Sequence, residues 1–360
     1  MEPLKEMFNK KYYEKLAGEF ERVDRDFNGI RFIEDVTVDL SERSLNQRMR
    51  NTSIVLQKHL PQNYVNAIEI MMQVIPAMPK GYTTLVFPDF TGLFGGKNFT
   101  LSMEALKFFT QYGSSEFAIR EFLKHDFDKT IRVMYEWSED KNHHVRRLAS
   151  EGSRPRLPWS FKLDAVIKNP QVTVPILENL KADAELYVRK SVANHLNDFS
   201  KDSPKHVLKL VGGWDKSNTH TAWIVKRGCR SLIKKGDKNS LAVFNYTKKI
   251  GVRIENFKLS AATVRLNENL EFTFDLVSTK SVDQNIIIHY CIHYFKKSGV
   301  LSPKVFSLKE TILKPGEQLK IMKKQRFQDF TTRKHFTGNH AIDILVNGNI
   351  VHSASFKFRR

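Results

Sequence analysis

His144-Val145-Arg146-Arg147-Leu148-Ala149-Ser150-Glu151-Gly152 returns in outline at Tyr187-Val188-Arg189-Lys190 and again at Val225-Lys226-Arg227, and this recurrence decides how the chain is read. Each occurrence is a branched apolar residue followed by two basic ones, at a period of roughly 40 residues. An acidic or polar turn precedes the first two: Ser138-Glu139-Asp140-Lys141 and Lys181-Ala182-Asp183-Ala184-Glu185. A stretch of helical periodicity, Phe127 to Trp137, comes before the first turn. Paired helices at this period predict HEAT-like repeats stacked into a solenoid, with the second helices lining a concave surface. A non-repetitive helical bundle with coincidental Val-basic pairs is the competing reading.

Outward from these segments, apolar residues recur at helical spacing. They predict helices over 3–20, 42–59, 62–75, 101–111, 115–124, 127–138, 142–152, 172–182, 185–198, 203–211, 219–235 and 239–247. Past Lys249 the period falls to two. Asn269 to Leu276 and Ile286 to Tyr294 alternate, the latter with apolar doubling, and Ala341 to Val346 ends at Asn347-Gly348, a hairpin signal. About seven short strands, with Lys314-Pro315-Gly316 as a turn, predict an immunoglobulin-like β-sandwich without its disulfide. The fold class is therefore multidomain, α then β: an all-α HEAT-like solenoid over 1–250 followed by a sandwich over 251–360.

Lys and Arg number 58 against 39 Asp and Glu, a net charge of +19 that favours polyanionic partners through steering and counterion release. The sandwich segment holds 18 Lys and Arg against 9 Asp and Glu, so both parts share the charge. Charged residues punctuate Met1 to Phe20, leaving no signal-peptide core, and no run is long enough to span a membrane. A cytoplasmic monomer is expected. Cys229 and Cys291 fall in different domains, which argues against a disulfide or a paired-cysteine metal site. His143-His144 and the pair His289 and His293 lack partners at metal spacing, and Leu93-Phe94-Gly95-Gly96-Lys97 lacks the spacing of a phosphate loop. Neither metal nor cofactor is expected.

Residues four apart share a helical face. Arg147 and Glu151 form one such row, Lys190, Asn194 and Asp198 a second, and Arg227, Ser231 and Lys235 a third. Val145, Leu148 and Ala149, like Val188, Val192 and Leu196, occupy the core side, so the rows should point away from it. Rows of basic residues that include Glu151 and Asp198 suggest a phosphate-binding surface whose carboxylates have a task. A plain i,i+4 bridge for Glu151 and a helix end for Asp198 remain open. Gly152-Ser153-Arg154-Pro155-Arg156-Leu157-Pro158-Trp159 then ends the helix abruptly. Trp159 is placed to stack on a base or face a cation, or to pack under the loop. Glu116 opens the helix predicted over 115–124, with Ser114 or Ser115 as its cap.

Three runs, Ser114 to Arg120, His144 to Trp159 and Tyr187 to Asp198, resemble the DNA alkylation repair glycosylases of the AlkC/AlkD type, specifically AlkC. The likeness spans most of residues 1–250, and the sandwich resembles the immunoglobulin-like domain carried by many AlkC members. The resemblance implies base excision repair: hydrolysis of the N-glycosidic bond of a cationic alkylated base, of the 3-methyladenine class, in duplex DNA. Such a base leaves readily, so the demand falls on the sugar cation and the attacking water, which need a carboxylate. Glu116, Glu151 and Asp198 are the candidates, unranked by sequence, and Trp159 supplies a π face. Glu151 and Asp198 are assigned by resemblance to cation stabilisation and water positioning, Glu116 to support or direct contact. Arg147, Arg154, Arg156, Arg189, Lys190, Lys226, Arg227 and Arg230 form the phosphate-contact pool, with Trp223 a weaker DNA contact and Trp214 a packing residue.

In the sandwich the densest basic stretch is Lys320, Lys323, Lys324 and Arg326, with Arg333 and Lys334 nearby, which suggests an accessory module gripping DNA at the minor groove. The rival function is a noncatalytic helical-repeat scaffold that binds nucleic acid or acidic proteins. It has no need for Glu151, Asp198 and Trp159 together.

Overall fold

The computed structural model describes residues 3–330 and 333–360. Two compact units emerge: residues 3–203 with 214–228, and 204–213 with 229–360. Among the described residues no helix is long and apolar enough to cross a membrane.

The first unit is built of paired helices. Its amino-terminal part buries an aromatic core of Tyr13, Phe20, Phe32, Phe87, Phe90 and Phe109. Here sequence reading was incomplete. The segment expected over 3–20 is a short 3-10 turn, Leu4–Met7, and then a helix, Lys10–Val23, started by the Asn9 side chain accepting from the Tyr12 amide. Helices Gly29–Thr37 and Val86–Phe94 were not anticipated. The latter is mostly buried and so carries no amphipathic stripe to betray it.

The repeat shows in Phe127–Trp137 with His143–Gly152, and in Val174–Leu180 with Leu186–Asp202. Leu186–Asp202 packs against both His143–Gly152 and Thr219–Gly228. The basic pairs that announced the repeat have a local cause. Arg146 donates to the carbonyls of Asp140 and Lys141 at 2.9 and 3.0 Å, and Arg189 donates to those of Asp183 and Ala184 at 2.9 and 2.6 Å. In the first two pairs the leading arginine thus satisfies carbonyls in the turn that precedes its own helix. Close approach between helices is secured by glycine: a Cβ on Gly152 would lie 2.5 Å from Ile119 Cγ2, and one on Gly228 would lie 2.9 Å from Leu196 Cβ.

Two helix ends differ from expectation. Leu186–Asp202 runs a turn further than the sequence suggested, so Asp198 lies inside the helix and does not end it. The helix expected over 219–235 breaks after Gly228, and Arg230–Lys234 is a separate helix of the second unit. Ser231 and Lys235 therefore do not continue the row begun by Arg227.

The second unit contains the sandwich, with eight strands among the described residues where about seven were expected: β1 (Val252–Leu259), β2 (Thr263–Arg265), β3 (Asn269–Ser278), β4 (Gln284–Phe295), β5 (Leu301–Leu313), β6 (Gln318–Arg326), β7 (Gly338–Val346) and β8 (Asn349–Arg359). One sheet has the order β1-β3-β6, the other β2-β8-β7-β4-β5, and the extra strand β2 lies parallel to β8. Phe272, Phe274, Ile288, Tyr290, Ile344 and Phe358 fill the space between them. The doubling of apolar residues in β4 has a cause: Ile287, His289 and Cys291, on its other face, are buried too. Asn347 and Gly348, at φ +47° and +77°, form the hairpin turn that joins β7 to β8.

Candidate active site

Three elements of the first unit build the site: the turn at residues 114–117, the helix His143–Gly152, and the loop that follows it. Glu151 occupies the last turn of its helix, where the dipole disfavours an anion. Two guanidiniums compensate. Arg154 Nη1 donates to Glu151 Oε1 at 2.6 Å, and Arg147 Nη2 lies 3.5 Å from the same oxygen. No protein donor among the described residues reaches Oε2.

Arg154 is shared. Its Nε and Nη2 lie 2.9 and 2.8 Å from Oδ2 of Asp198, whose Oδ1 meets Lys201 at 3.2 Å. On the other flank Arg147 donates to Ser114 Oγ at 2.8 Å and to Glu116, which also accepts from Ser114 at 2.9 Å, and its guanidinium lies 4.9 Å from the Tyr187 ring centre. The result is an alternating chain, Glu116, Arg147, Glu151, Arg154, Asp198, in which Glu151, Arg154 and Asp198 are buried. Burial opposes both arginine charges, but the flanking carboxylates outweigh it and raise both pKa values above the ordinary guanidinium value. Both remain cationic.

An open cleft of 430 Å3 adjoins this chain. Glu116, Glu151, Arg147, Tyr187 and Trp159 line it; Asp198 does not. The rows expected to point away from the core thus hold two buried carboxylates, of which only Glu151 faces open space.

Trp159 is 72% exposed, at φ +64°, so it does not pack under its loop. A tryptophan in the left-handed region is strained and must be held there by its surroundings. Leu157 and Leu163 anchor the loop by burial, and the Leu163 amide donates to the Pro155 carbonyl at 3.0 Å. Beneath it lies Arg120, fully buried, which donates to the carbonyls of Gly152 and Arg154 at 3.0 and 2.7 Å and also to that of Phe161. Burial and the nearby Arg154 charge pull its pKa down to about 10, still cationic at neutral pH. Sequence reasoning missed Arg120. Its one available signal was an arginine on the apolar face of a helix, beside Ile119 and Leu123.

The other expected contacts scatter. Arg156 forms a two-pronged pair with Asp202, at 2.8 and 2.6 Å. Arg189 braces a turn and, with Arg227, flanks the Trp223 ring at 5.8 and 5.4 Å. Lys190 and Lys226 are exposed and Arg230 is half-buried. Trp214 is buried and donates to Glu178 at 2.7 Å. Glu116 precedes the helix Ala118–His125 and is not part of it; Ser114 Oγ meets its amide at 3.3 Å while Ser115 Oγ turns to the Leu106 carbonyl, so neither serine caps the helix start. In the second unit Lys323 and Lys324 are exposed on the edge strand β6, with Lys324 3.1 Å from Glu271. Among the described residues no group of three or more metal-ligating side chains forms.

Known proteins resemble the chain along its whole length. A family model described as DNA alkylation repair enzyme matches residues 112–232, and one described as the C-terminal Ig-like domain of uncharacterised protein YhaZ matches 253–360. Uncharacterized protein YhaZ of Bacillus subtilis (strain 168) is 40% identical over 358 residues, 99% of each chain. The solved structure of the Pseudomonas fluorescens alkylpurine DNA glycosylase AlkC, bound to DNA containing an abasic site analog, is 43% identical, with a TM-score of 0.97 and full coverage of both chains. The chain belongs to the AlkC family of alkylpurine DNA glycosylases.

Proposed function

We propose that the cleft hydrolyses the N-glycosidic bond of a cationic, N3-alkylated purine in duplex DNA. The observation that carries this reading is Glu151: one oxygen is fixed by two guanidiniums while the other accepts nothing and lies at a cleft lipped by Trp159. Cleavage of the bond sends its electron pair to the base, which leaves neutral without being protonated. Positive charge passes to the sugar. Water adds to the anomeric carbon and gives up a proton.

Glu151 serves both steps. Its carboxylate stabilises the sugar cation, and Oε2 orients the water and accepts its proton. Glu116, also on the cleft, adds negative potential. Asp198 touches neither reactant in this scheme; it fixes Arg154, which fixes Glu151, and is therefore a positioning residue. Trp159 offers its face to the cationic base, an attraction of about 0.5–2 kcal/mol. Arg147 and Arg154 are largely buried between carboxylates, so phosphate contact falls to the cations that reach the surface, Lys190, Lys226 and Arg227 in the first unit and Lys323 and Lys324 in the second, with half-buried Arg230 in the same basic set.

The test is incubation with methylated genomic DNA and chromatography of released bases. Free 3-methyladenine from the wild type but not from Glu151→Gln supports the reading. Tight DNA binding with no release favours a noncatalytic scaffold and overturns it.

A further inference from the structure

Trp159 stands in a turn that its own side chain disfavours. The Ser160 amide donates to the Leu157 carbonyl at 3.3 Å, closing a turn with Pro158 second and Trp159 third. A φ of +64° at the third position ordinarily calls for glycine, and a tryptophan held there is under strain. The ring does not offset that strain by packing, since it is largely exposed. The constraint has to come from beneath.

Arg120 supplies it. Its guanidinium is fully buried and forms no ion pair among the described residues, and its Nε bonds nothing. A cation so placed is costly, and an apolar side chain would fill the space without that cost. What no apolar side chain can do is donate to three carbonyls. Those of Gly152 and Arg154, at 3.0 and 2.7 Å, lie where the chain leaves the helix His143–Gly152, and that of Phe161 lies where it comes back past Trp159. One planar fork thereby clamps both arms of the loop. The Phe161 ring lies against the fork, its centre 5.2 Å from the guanidinium carbon, and the Lys124 ammonium stands 5.8 Å from the same ring. Glu151 has restraints of its own, in its helix and in Arg147 and Arg154. The arm that carries Trp159 has fewer: besides Arg120, the burial of Leu157 and Leu163 and the hydrogen bond from the Leu163 amide to Pro155. Loss of the fork therefore falls on Trp159.

We propose that Arg120 is a positioning residue for base excision, acting on the reaction by clamping Trp159 at the lip of the cleft. It touches no reactant. A ring already in place when the base arrives needs no reorganisation, and small misplacements of such a group are expensive in rate. The inference rests on reading Trp159 as the face that meets the cationic base.

Two readouts on the full chain test it. Wild type, Arg120→Lys, Trp159→Ala and the double variant are compared in single-turnover base release from a 3-methyladenine duplex, well below their melting temperatures. The emission anisotropy of Trp159 is taken as the difference between each protein that keeps it and its Trp159→Phe counterpart. Lysine preserves the charge but gathers its donors at one point on a flexible stem, so it cannot span both arms. We expect Arg120→Lys to lower the anisotropy of Trp159 and to slow release by about 2- to 30-fold, no more than Trp159→Ala does, with the double variant as slow as Trp159→Ala alone. A merely structural arginine would lower the melting temperature and leave the anisotropy of the folded protein as it was, and its loss would multiply with that of Trp159→Ala. Either result overturns the proposal, as does an unchanged rate. If Arg120→Lys does not fold, Phe161→Leu, which removes the ring lying on the guanidinium, enters the same cycle and is decided by the same outcomes. If the wild type releases no base, the excision reading fails alone and the anisotropy still decides whether Arg120 holds Trp159. Release by the wild type, with an anisotropy that Arg120→Lys leaves unchanged, sinks the positioning role alone.

Discussion

Replacing Arg154 with Met tests the charged chain at its centre. The guanidinium is buried and makes three contacts to carboxylates, one of 2.6 Å to Glu151 and two of 2.9 and 2.8 Å to Asp198. Methionine keeps much of the stem volume but leaves Glu151 and Asp198, 5% and 2% exposed, without their shared cation. Removing one member of a buried ion pair costs about 3–5 kcal/mol, mostly the penalty of stranding the other charge. Arg154→Met should therefore lower the unfolding free energy of the first unit by about 3–5 kcal/mol. Asp198→Asn should cost less, because Arg154 retains Glu151. In the double variant one stranded charge is gone, so its loss should fall short of the sum of the singles by about 1.5–3 kcal/mol. Urea denaturation followed by far-ultraviolet circular dichroism reads all four corners of the cycle. Losses that add within about 0.5 kcal/mol would refute the shared-cation account.

Trp159→Ala should reduce base release about 2- to 30-fold, the range of one cation–π contact, with no change in melting temperature because the ring is largely exposed. Gly152→Ala should destabilise by about 1–3 kcal/mol, measured in the same denaturation, since its Cβ would lie 2.5 Å from Ile119 Cγ2. His195 is fully buried, donates from Nδ1 to the Ser150 carbonyl at 3.1 Å and meets the Thr173 hydroxyl at 3.2 Å, and burial lowers its pKa to about 3. Its unfolded form titrates near 6.5, so the unfolded state takes up the proton first and stability falls as pH drops from about 6.5 towards 3. From pH 7.5 to pH 5 this group alone should remove about 2 kcal/mol, and His195→Gln should flatten that slope in urea titrations.

The architecture was legible because periodicity is a local property. Val145, Leu148 and Ala149 mark a buried stripe wherever the helix packs, and Asn347-Gly348 makes its turn from its own backbone preferences. Glu151 could be singled out because a carboxylate within basic rows is an anomaly of sequence. What escaped was the direction of long side chains. Arg154 and Arg156 look like phosphate contacts in the chain, yet each finds its partner more than 40 residues away, Asp198 and Asp202, through packing of successive repeats. Asp198 shares a helical row with Lys190, but the row turns inward along its length, and the acid is buried while the lysine is exposed. Arg120 was invisible for the same reason: its three acceptors are backbone carbonyls, which no residue identity reveals.

The most direct test of the account is single-turnover base release from a defined 3-methyladenine duplex, comparing the wild type with Glu151→Gln, with duplex affinity measured alongside. Glu151→Gln should slow the chemical step by about 100-fold or more with affinity essentially unchanged, because Glu151 acts on the reacting sugar and water and does not hold the DNA. A rate within a few fold of the wild type, from folded protein that still binds the duplex, would contradict it.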